Sequence, residues 1–380
     1  MVSRIILIIY KTGIDVKTGN LSVWKGISMK LGKVSDTILD RSIFKLIKKR
    51  GTLQKEKPAV GKSCSVLDCS EYSKVITHTA YGKWATYKAA NAIAAMGGEI
   101  KGIHSSIVMP EKAREIRLKE IIKELENECI TLGIPMLGGH TNVSANVGVP
   151  IVSVTGIGFD SKSAGTGNGN EGKSDAGIGC EGSGHEGYRH QEYEYKGSIK
   201  PGQDIILTKC IGISGIRHII EARKQEVYER FSEDVVNKAI GKETDMLTVE
   251  DAKLALGTGK ADFMYAVSEG GIFAALWNMA EAGNVGLDID FKAIPVRQEI
   301  IEICELFNVN PYELQSLGCL LVTSENGCDI INTLNTYGIE ASVIGKVTGK
   351  KQRILHTVDE DRYLDMPKVD EIYRFVSERT

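Results

Sequence analysis

The chain has 380 residues, room for two domains of ordinary size plus some unstructured length. Its 25% charged and 42% apolar residues are the balance of a folded globular protein and exclude a disordered or membrane-embedded one. A formal net charge of −2 gives no basic surplus, which argues against nucleic acid or an acidic membrane surface as partner and leaves small molecules or protein.

The apolar run from Arg4 to Tyr10 is far shorter than the roughly 20 residues that span a bilayer and has no small-residue cleavage site, so residues 1–28 read as an N-terminal appendage ahead of Met29. Ser35 can cap a helix whose apolar positions Ile38, Leu39, Ile43, Phe44, Leu46 and Ile47 share one side, with Lys48, Lys49 and Arg50 at its negative end and Gly51 closing it. Val66-Leu67 and Val75-Ile76-Thr77 read as short strands around a polar turn. An alanine-rich stretch from Trp84 to Met96 predicts a helix stopped by Gly97-Gly98. From Glu111 to Leu132 the residues Leu118, Ile121, Ile122, Leu125, Cys129 and Leu132 recur at three- and four-residue steps, which predicts a half-buried helix ended by Gly133. Ile134 to Leu137 and Val149 to Ile157 read as strands.

Between Asp160 and Tyr195 the composition collapses to Gly, Ser, Asn, Glu and His, which cannot form a core and reads as a flexible insertion with His185 and His190 solvated. From Pro201-Gly202 strands and helices alternate, predicting strands at 204–209, 262–267, 287–291, 319–323 and 340–347 with helices between, a layered α/β domain. The stretch from Arg362 to Phe375, with Tyr363, Leu364, Val369, Ile372 and Tyr373, reads as a docked helix. Eight cysteines without a CxxC pair or a framework spacing read as thiols of a reducing cytosol, so a cytoplasmic location is expected.

Three glycine-bearing junctions follow from these assignments: Gly138-Gly139-His140-Thr141 after a strand, Glu269-Gly270-Gly271 where a strand meets a helix, and Asn91 to Gly97 closing a helix. Bare backbone amides at such places can cradle phosphate, although glycines serve tight turns more often. Their order and spacing resemble the superfamily of AIR synthase (PurM), selenophosphate synthetase, thiamine-monophosphate kinase and the hydrogenase-maturation protein HypE, and within it the HypE-like, AIR synthase-related proteins. The segments that carry the resemblance are Met29-Lys-Leu-Gly-Lys-Val-Ser35, Asn91-Ala-Ile-Ala-Ala-Met-Gly97, Gly138-Gly-His-Thr141 with Pro150-Ile-Val-Ser-Val-Thr155, Ser268-Glu-Gly-Gly271 and Ile294-Pro-Val-Arg-Gln-Glu299.

The resemblance implies a PurM-like two-domain α/β (α+β) fold. In it, residues 29–159 would form an N-terminal domain that pairs with its twin into a β-barrel-like dimer core, 160–195 the glycine-rich insertion, 196–356 the layered C-terminal domain and 357–380 a helical tail. ATP would lie in the groove at that interface, with Gly61, Lys62, Thr79, Asn91, Gly138, Gly139, His140, Thr141, Glu269, Gly270 and Gly271 as candidates to bind nucleotide or phosphate. Members of the family transfer phosphate to an amide, carboxyl or similar oxygen, or to selenide, with magnesium held by aspartates. At positions where the family places acids this chain carries Ser63, His78, Ala92, Asn142 and Ala266. Five neutral residues in one constellation should abolish a two-metal site, so ATP remains a candidate ligand while magnesium is not expected at the family site.

Lys62 could then supply part of the missing charge, and His140 could act as a base or simply fix its loop. The chain ends Val376-Ser-Glu-Arg-Thr380, without the terminal cysteine on which the HypE reaction depends. Three readings follow. The first is a ligand-binding or partner subunit, as homodimer or as heterodimer with an intact paralogue. The second is an ATP-dependent phosphotransferase or ligase-like enzyme with a metal site rebuilt from Glu269 and Asp68. The third is an interaction scaffold that recruits partners through the insertion.

Overall fold

The computed structural model describes residues 34, 36–47, 64–70, 73–160, 197–366 and 368–376. The appendage at 1–28, the expected cap Ser35, the basic helix end at 48–50, the segment holding Gly61, Lys62 and Ser63, and the insertion at 161–195 lie outside the described residues. Before the first domain, α1 (Asp36–Ser42) gives way to a 3-10 turn at Phe44–Leu46, so the expected single helix is shorter. Ile43, Leu46 and Ile47, expected on its buried side, are exposed.

The N-terminal domain is built on five strands: β1 (Ser65–Ser70), β2 (Ser73–Tyr81), β3 (Gly98–Pro110), β4 (Met136–Ser144) and β5 (Ile151–Asp160). Their order across the sheet is β1-β2-β5-β3-β4, with β3 and β4 parallel and every other neighbouring pair antiparallel. Two helices cover one face, α2 (Ala85–Ala95) after β2 and α3 (Glu115–Leu132) crossing from β3 to β4. Gly133 ends α3 at φ 65°, as its place after the last apolar residue predicts. The long strand β3 is absent from the sequence reading because His104, Ser105 and Ser106 break its apolar alternation.

Every side chain of α2 is buried, the mark of a helix covered on all sides. One side rests on the sheet, where Gly156 would bring a Cβ to within 3.0 Å of Ala89 and Ile93. The other meets the second domain, Ala94 and Ala95 packing with Met264, Leu320 and Val322. Alanine supplies both helix propensity and the small radius that lets two domains close on one helix.

The second domain follows with β6 (Asp204–Thr208), α4 (Ile213–Ala222), α5 (Lys224–Arg230), α6 (Glu233–Ile240), α7 (Val249–Gly257), β7 (Phe263–Ala266), α8 (Gly271–Gly283) and β8 (Gly286–Asp290). It continues with α9 (Gln298–Leu306), β9 (Leu320–Ser324), α10 (Gly327–Thr336), β10 (Ala341–Thr348), β11 (Arg353–His356), β12 (Asp361–Tyr363) and α11 (Tyr373–Val376). Its seven strands run in the order β12-β11-β8-β10-β6-β9-β7, antiparallel except for β8 beside β11. Ile205, Leu207, Leu276 and Met279 pack α8 on one face, and Ile206, Val322, Ile330 and Leu334 pack α10 on the other. The alternation read from the sequence thus corresponds to a layered α/β domain.

The expected helix from Arg362 to Phe375 is not formed. Tyr363 stands exposed in β12, while Leu364, Ile372 and Phe375 dock as an extended segment ending in the single turn of α11. Pro367 within the stretch cannot donate to a helical ladder, and Asp370 binds elsewhere, as shown below. No helix among the described residues is long and apolar enough to cross a membrane.

Candidate functional site

The two domains meet where β2 runs into α2 and where β7 runs into α8. At the first junction Gly82 and Trp84 take left-handed backbone, φ 78° and 55°, which swings the chain from strand to helix. The Glu128 carboxylate of α3 caps the new helix by accepting the Thr86 N–H at 3.0 Å. Burial pushes that carboxyl up to about 7, against the Thr86 hydrogen bonds that pull it down.

Two residues further, Lys88 is the only charged residue of α2. Its ammonium donates to the Tyr81 carbonyl at 3.1 Å and to Glu269 Oε1 at 3.0 Å. The Lys88 side chain is 8% exposed and that of Glu269 25%, so the ion pair is a largely desolvated bridge between the domains. Asn91, on the same helix, donates from Nδ2 to Met246 O at 2.8 Å and accepts the Thr248 N–H on Oδ1 at 2.8 Å. Its amide is a buried pin between domains, with both its Oδ1 and its Nδ2 engaged across the junction.

At the second junction Gly270 and Gly271 both have positive φ, 78° and 65°. A Cβ on Gly271 would collide with the backbone oxygens of Tyr312 and Leu314, so only glycine admits the close approach of that loop. The Gly270 N–H, at the N-terminus of α8, donates to Asp370 Oδ2 at 2.6 Å. The other oxygen, Asp370 Oδ1, accepts the N–H groups of Gln315 at 3.2 Å and Ile372 at 3.0 Å. Asp370 is 4% exposed. Burial pushes its carboxyl up to about 6 against the pull of those three amides, and the Glu269 charge adds to the rise. Burial likewise raises the Tyr373 phenol, with the charges of Glu269 and Asp370 reinforcing it. Beside Gly270 a cavity of about 540 Å³ opens between α8 and the β11–β12 hairpin, lined by Phe273, Phe291, Tyr312, Thr357 and Lys368 among others.

The remaining candidates lie apart from this cluster. Gly138, Gly139, His140 and Thr141 stand inside β4 and not in a turn after it, which corrects the placement read from the sequence. Gly139 serves strand packing, since a Cβ there would collide with Ser105 on β3, whereas a Cβ on Gly138 would make only ordinary contact with His104. His140 and Thr141 are exposed on this edge strand, and Asn142 Oδ1 accepts the N–H of Val143 at 2.8 Å. Thr79, exposed on β2, shares a hydrogen bond of 2.9 Å with Thr155 on β5, and the half-buried His78 is its neighbour. Three strand spacings, roughly 14 Å, separate β4 from β2 across the sheet. The described candidates therefore form two groups, a junction group around Glu269-Gly270-Gly271 and a sheet group on β2 and β4.

Among the described positions where the resemblance expects acids, Ala92 is buried in α2 and Ala266 packs against the cluster of Ala94, Ala95 and Met264. Among the described residues no three His, Cys, Asp or Glu side chains come together as a cation site. Ala92 and Ala266 offer no oxygen ligand to a hard divalent cation, which takes carboxylate oxygens. What the junction offers instead is an ammonium, a glycine-bared helix terminus and a carboxyl of raised pKa. Sequence reasoning missed Lys88, Asp370 and Gln315. A lone charge in an otherwise apolar, alanine-rich helix was the signal for Lys88, because such a charge is buried only with a partner.

A two-domain fold with a five-stranded N-terminal sheet, a seven-stranded C-terminal sheet and a glycine junction between them defines a class, and two domain models match it in order. Residues 60–159 match the N-terminal domain of AIR synthase related proteins and residues 200–357 their C-terminal domain. The chain belongs to the AIR synthase related family. It is 24% identical over 300 residues to a hydrogenase expression/formation protein of Methanocaldococcus jannaschii, covering 77% of this chain and 78% of that one. It is also 24% identical over 291 residues to the carbamoyl dehydratase HypE of Rhizobium leguminosarum bv. viciae, covering 74% of this chain and 69% of the relative. A solved structure of the hydrogenase maturation protein HypE in complex with ATP shares the fold, with a TM-score of 0.60 at 15% identity over 90% of this chain and 98% of that one.

Proposed function

We propose that this chain is a HypE-like protein that binds an anionic, nucleotide-type ligand at its domain junction without magnesium-dependent phosphoryl transfer, and that it works in the cytoplasm as a ligand-binding or partner subunit. The observation that carries this reading is the Lys88–Glu269 pair. The acid nearest the glycine junction, the one from which a metal site would be rebuilt, is held by an ammonium of the other domain at 3.0 Å. Ala92 and Ala266 offer no oxygen to a magnesium ion, and the junction brings an ammonium, balanced by Glu269, as its group for holding an anion. Support for an ATP-type ligand comes from the relative whose ATP complex shares the fold.

Partnership is supported by a face of the N-terminal sheet that no described element covers. Val152 and Val154 turn toward α2 and α3, so their alternates along β5 turn away, and Ile151 and Phe159 are exposed together with Leu137 on β4 and Tyr81 on β2. An apolar sheet face of this kind is suited to a second copy or an intact paralogue. The direct test of the catalytic half is phosphate release from ATP and magnesium by the purified protein. The reading predicts none above the blank, and steady release would contradict it.

One observation favours a second reading, an ATP-dependent enzyme of the HypE type. A buried carboxyl raised to about 6, seated beside a glycine junction and a cavity, is the kind of group that enzymes use for proton transfer. Phosphate release by the unaltered chain that is abolished in Glu269→Gln would establish this second reading, an enzyme with a metal site rebuilt on that residue.

A further inference from the structure

The Lys88 ammonium has three protons and two partners, the Tyr81 carbonyl and Glu269; among the described residues nothing takes the third. The group is nine-tenths buried, where an unfilled donor is costly. Lys88 also sits one helical turn before Ala92, on the same side of α2, and its partner Glu269 lies three residues beyond Ala266. The pair thus joins the two elements whose acids are missing and places between them an ammonium whose charge is balanced by the Glu269 carboxylate. A second buried polar group lies near the same junction: Gln315, whose backbone N–H donates to Asp370, is fully buried, and among the described residues neither atom of its side-chain amide has a partner. Polar capacity is present on both domains and the described residues do not fill it.

We propose that Lys88 is a built-in cation that receives a phosphate or carboxylate of the ligand at the domain junction, in the place of a divalent metal ion. Because Asp370 already holds the Gly270 amide, the anion is received by the ammonium, with the helix terminus contributing only its field. Glu269 then acts as a counterweight. It keeps Lys88 positioned while the site is empty of ligand and gives up part of its hold when an anion arrives. The inference rests on the reading of the junction as an anion-binding site.

The test is titration of the protein with ATP and, separately, with inorganic pyrophosphate, both in EDTA, for the unaltered chain and for Lys88→Met, Lys88→Arg and Glu269→Gln. The unaltered chain is expected to bind without metal, Lys88→Met to bind about 10- to 100-fold more weakly, the range of a lost charge-assisted hydrogen bond, and Lys88→Arg to recover most of the loss. Glu269→Gln frees the ammonium and should tighten binding by about threefold or more, whereas a purely structural pair would weaken it. This variant decides the matter if Lys88→Met does not fold. Binding that requires magnesium, or equal affinity in Lys88→Met and the unaltered chain, overturns the role of Lys88 and leaves the ligand reading standing. Absence of binding with and without magnesium overturns both.

Discussion

At the scale of single residues, the fold makes its sharpest statements through buried polar groups. Glu128 is 6% exposed and its carboxyl is raised from 4.5 to about 7, mainly by burial. Between those values the folded protein binds a proton that the unfolded chain has lost, so stability is full below the unfolded pKa and falls as the pH rises through the folded one. The difference corresponds to about 3 kcal/mol. Glu128→Gln keeps an acceptor for the Thr86 N–H and removes the titration, so its Tm should change less between pH 5 and pH 8 than that of the unaltered protein. Equal slopes in thermal melts would contradict this. Asn91 gives a second case. Asn91→Ala strands the Met246 carbonyl and the Thr248 N–H at the domain junction and should cost about 2–4 kcal/mol in urea unfolding, with no new ligand phenotype beyond that loss.

At the scale of elements, legibility followed periodicity and failed where function or close packing broke it. The helix α2 was readable from its alanines and the Gly97-Gly98 stop, and α3 from its three- and four-residue steps. The strand β3 was not, because three polar residues in a row hide its alternation, and neither was the extended C-terminal segment, whose apolar residues mimic helical spacing. The Gly138-Gly139 pair was read as a turn because glycine is commonest there, yet it lies inside β4, where Gly139 serves contact between parallel strands. Of the site, Glu269-Gly270-Gly271 was legible from the strand-to-helix switch. Lys88 and Asp370 were not, since they reach the junction from 181 and 100 residues away. Gly271→Ala tests the junction as an element: positive φ and collision with two backbone oxygens should destabilise the protein by at least about 2 kcal/mol in the same unfolding assay. A neutral substitution would mean that the 312–314 loop does not press on α8.

At the scale of the whole molecule, the two domains are joined through α2, which contributes to the core of each, and through the ion pair that crosses beside it. The sheet face that no described element covers then leads to an expected oligomer, and light scattering after size-exclusion chromatography should give at least twice the 41.4 kDa chain mass. Leu137→Glu on that face should shift the mass toward the single chain while leaving the far-UV spectrum unchanged, and a monomeric unaltered protein would remove the support for partnership.

The measurement that bears most directly on the central claim is a pair of calorimetric titrations with ATP, one in EDTA and one in magnesium. The account predicts binding in both, with affinities within a fewfold of each other, because the junction carries its own cation. Binding in magnesium alone would contradict it and return the site to metal-dependent chemistry.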